Sequence, residues 1–96
     1  MPPQRAQDSF RAELPRLLAD RQMSQRELAR QVGVNQSYLS FVLRGRRMPS
    51  RRLLEGTAKT LGLPIDHFRE YREAVVIERL KADPDLLDRV YRSLHG

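Results

Sequence analysis

Five arginines, Arg44, Arg46, Arg47, Arg51 and Arg52, fall within nine residues and have no acidic residue among them. Guanidinium groups keep their charge at any physiological pH and present forked donors that match phosphate oxygens, so such a run is suited to a polyanion. Just ahead of it, Gln36, Ser37, Ser40 and Phe41 offer a carboxamide that donates and accepts, two hydroxyls and an aromatic ring. The charge is unevenly spread. Residues 1–52 hold eleven arginines against four acids, and residues 53–96 hold seven basic residues against eight acids, so the net charge of +6 belongs to the first half. Covalent chemistry is poorly provided for. There is no cysteine, the two histidines His67 and His95 sit in no nucleophile or metal motif, and no glycine-rich phosphate loop occurs. The carboxylates alternate with arginines as on solvated helix faces. No enzyme, metal or cofactor is expected.

The residues that must position these groups read as two short helices joined by a tight turn, Ser24 to Gly45. Ser24 and Glu27 form a capping box, which starts a helix at about Gln25. Leu28, Ala29 and Val32 give it one buried stripe, and Gly33 supplies the positive φ wanted just past its end. Asn35 caps the second helix, whose inner face is Leu39, Val42 and Leu43 and which stops at Gly45. Two helices so closely joined cross steeply, leaving the second free to enter a DNA major groove while the first crosses the backbone. At about 100° per residue, Ser37, Ser40, Phe41 and Arg44 lie opposite the inner face, with Gln36 at its shoulder. Those side chains would meet base edges.

The sequence here resembles the phage-repressor and Cro-like (XRE-type) helix-turn-helix domains. The likeness spans roughly Phe10 to Phe68 and rests on SQRELA, the turn VGV, SYLS, the segment from Gly45 to Ser50, and A-x-x-L-G-L from Ala58 to Leu63. It implies an all-α, five-helix repressor-like domain, with base contacts from the exposed side of the second helix of the motif. One departure is interpretable. Where such domains often hold a partly buried arginine–glutamate pair, this chain has Leu18 and Leu43, and exchanging both charges for apolar groups avoids their desolvation.

The remaining chain divides into a tail (residues 1–8), the domain (9–68) and a C-terminal helical extension (69–96). Asp8 or Ser9 caps a first helix that buries Phe10, Leu14, Leu17 and Leu18 and runs to about Gln22. Pro15 should bend it or delay its regular part to Leu14. Ser50 caps a helix to Leu61 with Leu54, Ala58 and Leu61 inward, in which Gly56 is unfavourable unless close packing explains it. Gly62 stops that helix. Pro64 suits the first turn of a short fifth helix, with Ile65 and Phe68 closing the core and His67 at the surface. Residues 69–81 read as helix despite the run Ala74 to Ile77. Asp83 and Pro84 then start a last helix with the face Leu87, Val90, Tyr91 and Leu94.

These readings lead to a sequence-specific DNA-binding regulator, most simply a repressor on a palindromic operator, with double-stranded DNA and a second copy of the chain as partners. Gln36, Ser37, Ser40 and Phe41 are the candidate base readers, Gln36 foremost because its amide can pair bidentately with adenine. Phe41 would pack on a thymine methyl, unless the C-terminal helices or a protein cover it. Arg44, Arg46 and Arg47 are candidate phosphate ligands, joined by Gln25, Asn35 and Tyr38, for which capping or packing is the competing role. The candidate dimer interface is Phe68, Tyr71, Val75, Val76, Ile77, Leu80, Leu87 and Tyr91, the alternative being that the last helix folds back on its own domain. A protein-interaction module such as an antitoxin or adaptor is the second functional class. No apolar run approaches a membrane span, a cytoplasmic location is expected, and no small-molecule ligand is evident.

Overall fold

The computed structural model describes residues 9–95, so the expected tail and Asp8 lie outside the described residues. These residues form six α-helices and no strand: α1 Phe10–Asp20, α2 Gln25–Val32, α3 Gln36–Leu43, α4 Arg51–Leu61, α5 Arg69–Ala82 and α6 Pro84–His95. The all-α class is as expected. Side chains suited to capping begin five of the six. Ser9, Ser24 and Ser50 accept from the backbone N–H three residues on at 3.2, 3.0 and 3.1 Å, Asn35 from Ser37 at 2.7 Å, and Asp83 from Leu86 at 3.1 Å. Each thereby satisfies a donor that a helix start leaves free. Gly33 and Gly62 end α2 and α4 in the left-handed region, with φ of 83° and 72°.

The core lies between α1, α2, α3 and α4 and is closed by Phe68, whose ring meets that of Phe10 edge-on at 5.0 Å. Phe10, Leu14, Leu28, Leu39, Leu53 and Phe68 are wholly buried. Leu18 is buried and Leu43 half-buried against the same cluster, so the all-leucine exchange leaves no charge stranded in it. Gly56 has its explanation. A Cβ there would come within 2.6 Å of a Val32 methyl, so α2 and α4 approach where the side chain is missing. That approach seats the first helix of the motif on the scaffold.

Four expectations need correction. α1 is helical from Phe10 onward, with Pro15 inside it costing the Arg11 carbonyl its helical partner; the helix also ends at Asp20, with Gln22 in the left-handed region at φ 53°. No helix forms between Gly62 and Phe68. Pro64 to His67 make a single turn closed by His67 N–H to the Pro64 carbonyl at 3.0 Å, too short to propagate. Ile65 is consequently exposed, and Phe68 alone closes the core as the N-cap of α5. His67 is half-buried, with Nε2 2.8 Å from Oε1 of the buried Glu13 and its ring edge-on to Phe68. The inward stripe of α4 is also wider than expected, taking in Leu53 and Thr57.

Candidate nucleic-acid interface

α3 is held by its buried side, Leu39 and Val42, which leaves Gln36, Ser37, Phe41 and Arg44 exposed and Ser40 half-buried. Phe41 keeps 40% of its surface in solvent, so it is not buried beneath the C-terminal helices. The Gln36 carboxamide is oriented across the motif. Its Oε1 accepts from Arg26 Nε of α2 at 3.4 Å, a long bond that leaves the amide donors uncommitted. Gln25 is exposed at the first position of α2, where backbone N–H groups and the helix dipole favour an anion. Asn35 spends its Oδ1 on the α3 cap and keeps its amide donors.

Tyr38 has a different task from the one its position suggests. Its hydroxyl donates to the Met48 carbonyl at 2.9 Å and accepts from Ser50 N–H at 2.7 Å. The one proton a phosphate would need is already committed, which takes Tyr38 out of the phosphate set. Instead it bridges α3 to the loop of residues 44–50, and the Arg47 guanidinium lies over its ring at 5.4 Å.

The arginine run divides three ways. Arg44, Arg46 and Arg47 are exposed around the end of α3 and form no ion pair among the described residues. Arg11, absent from the sequence reading, reaches them from α1, its guanidinium lying against the backbone of Gly45. Arg52 turns to the bend between α2 and α3, where a Cβ on Gly33 would sit 2.9 Å from its Nη2; there it faces the C-terminal end of α2, the negative pole of that helix. Arg51 leaves the groove side altogether. It pairs with Glu55 at 3.0 Å and with Glu78 of α5, and stacks over Tyr71 with its guanidinium 5.2 Å from the ring. Its hydrogen bonds to Glu55 and Tyr71 and the charge of Glu78 hold its pKa above the ordinary arginine value. A pair four residues apart, Arg51 with Glu55, is visible in the sequence and could have signalled this.

Of the candidate interface residues, Phe68 is buried in its own core and is unavailable to a partner, and Tyr71 is half-covered by Arg51 and the core. Val75, Val76, Ile77, Leu87 and Tyr91 are exposed, as are Val90 and Leu94, and Leu80 is half-buried. α5 and α6 contain no buried residue.

Residues 16–68, more than half of the chain, match the Helix-turn-helix family of XRE (Cro-like) type, and the chain belongs to that family of DNA-binding regulators. Comparison with curated proteins and with solved structures gives no match. Among the described residues no helix is long and apolar enough to cross a membrane.

Proposed function

We propose that this chain is a sequence-specific transcriptional repressor that binds a palindromic operator as a homodimer, with α3 in the major groove. The observation that carries the reading is the exposed face of Gln36, Ser37, Phe41 and Arg44, bordered by Arg11, Arg46 and Arg47 without acidic partners. Gln36 and the serines supply hydrogen bonds to base edges, Phe41 an apolar contact for a thymine methyl, and the arginines neutralise the flanking phosphates. Repression follows from occupancy of the operator.

Dimerisation is supported by two features. One recognition helix covers too few base pairs for high specificity, and two-fold symmetry with half-sites about 34 Å apart remedies this. Val75, Val76, Ile77, Leu87, Val90, Tyr91 and Leu94 expose more large apolar side chains on two adjacent helices than a monomer commonly leaves in solvent. Residues 69–96 carry six basic and six acidic side chains, so two such arms meet without the repulsion that two basic domains would feel.

The test is selection of bound sequences from random DNA, followed by affinity at about 50 and 200 mM salt. A palindromic consensus and a steep fall with salt are expected, and Arg46→Ala or Arg47→Ala should each lower the salt slope by about one. Absence of any consensus, together with capture of a different polypeptide by the α5–α6 surface, would favour an adaptor or antitoxin instead.

A further inference from the structure

α5 leaves the domain along a direction set at its base, where Tyr71 packs on the core and Arg72 donates to the carbonyls of Asp66 and His67, and by its contacts with α4. At its start, Phe68 is buried and Glu70 Oε1 accepts the first N–H of α1, from Phe10, at 2.9 Å. Ten residues beyond Phe68, about 15 Å along a helix, Arg51 holds Glu78 while its second nitrogen reaches Glu55 at 3.0 Å and the Tyr71 hydroxyl at 3.4 Å. Past Glu78 the helix has nothing buried, and α6 packs on α5. The first attachment acts as a pivot and the second fixes the direction of swing. Arg51 is also the first residue of α4, next to the loop that carries Arg46 and Arg47.

We infer that Arg51 and Glu78 form a positioning strut that fixes the angle between the DNA-reading domain and its C-terminal arm, and thereby sets the half-site spacing the dimer accepts. The inference rests on the homodimeric operator reading above. The lever arm makes the effect measurable. A swing of about 10° over the roughly 21 Å length of the 14-residue α5 displaces its far end by about 3.6 Å, close to one base-pair step. A dimer with a fixed arm therefore distinguishes operators that differ by one inserted base pair more sharply than a dimer with a loose arm, which absorbs the displacement and part of the accompanying rotation of about 34–36°. An exposed ion pair contributes little to stability, so its geometric role can be removed without unfolding the chain.

The experiment uses the full chain and a series of operators whose selected half-sites are moved apart or together by one and two base pairs. The wild type should lose about tenfold or more in affinity per step, whereas Glu78→Gln should lose about threefold or less while binding a single half-site as the wild type does. Arg51→Met should flatten the series in the same way and leave the salt slope on a single half-site unchanged. The chain has no cysteine, so spin labels at Lys59→Cys and Lys81→Cys, diluted into unlabelled protein, report the arm angle directly, and Glu78→Gln should broaden their distance distribution. An unchanged spacing profile in Glu78→Gln overturns the inference, as does a salt slope reduced by Arg51→Met, which would make Arg51 a phosphate ligand. Failure of the underlying reading is told apart by sedimentation: wild-type protein that stays monomeric on the operator removes the dimer itself.

Discussion

The two parts of this chain solve opposite problems with the same kind of helix. Residues 9–68 bury every hydrophobic side chain that is fully covered in the molecule, from Phe10 to Phe68, among the described residues. The arm, α5 and α6, is equally well formed yet buries nothing, and shows seven large apolar residues to solvent. α6 has as clear an apolar stripe as α2, and what differs is only whether a neighbour covers it. Amphipathic pattern makes a helix; a covering surface makes it part of a core. The domain carries its cover within its own sequence, and the arm, among the described residues, does not.

Truncation after Phe68 breaks the comparison most severely. The shortened chain should remain helical and monomeric and lose about 10²–10⁴-fold in operator affinity as the paired attachment disappears, read by sedimentation and DNA titration. A shortened protein that stays dimeric and binds as tightly would remove the arm from the interface. Next, Leu39→Ala should lower the unfolding free energy by about 2–5 kcal/mol in denaturant, because it opens a cavity in a closed core. Leu94 is largely exposed. Its replacement by alanine should therefore change monomer stability by no more than about 0.5 kcal/mol and act on association alone. Equal effects of the two substitutions on monomer stability would dissolve the distinction between domain and arm.

Smaller effects sharpen the comparison within the domain. Gln36→Ala should cost about 1–3 kcal/mol on the selected operator and little on random DNA. Equal losses on both would assign Gln36 to the backbone. Tyr38→Phe removes the bond to the Met48 carbonyl and leaves Ser50 N–H without its acceptor. The expected loss of stability is about 1 kcal/mol, read in denaturant. If Tyr38→Phe instead flattened the salt dependence with stability unchanged, the hydroxyl would have been a phosphate ligand after all.

What was legible in the sequence was local. Ser24, Asn35, Ser50 and Asp83 announce helix starts by a chemistry confined to a few neighbouring residues, and the structure uses each of them as a cap. Gly33 and Gly56 were likewise readable from the helices around them, although only the structure names Val32 as the neighbour that requires Gly56. The short fifth helix failed because proline at a helix start is permissive and does not by itself supply the residues needed to propagate one. The roles of Arg11, Arg51, Arg52 and Tyr38 depend on partners distant in the chain: Gly45, Glu78, Gly33 and Met48. A run of like charges looks uniform in one dimension. Folding sends its members to three different places, and only the long, flexible stems of arginine make that division possible.

The Tyr38 bridge has a kinetic meaning as well as a structural one. Its hydroxyl ties the carbonyl of Met48 and the N–H of Ser50 to α3, so the far end of the loop bearing Arg46 and Arg47 is fastened to that helix. A mobile loop would surrender conformational freedom at the moment of capture, at about 1–2 kcal/mol for each backbone residue fixed. Here that entropy is lost during folding. On the proposed DNA-binding reading, α3 and the backbone of this loop would then meet the duplex with less freedom left to surrender.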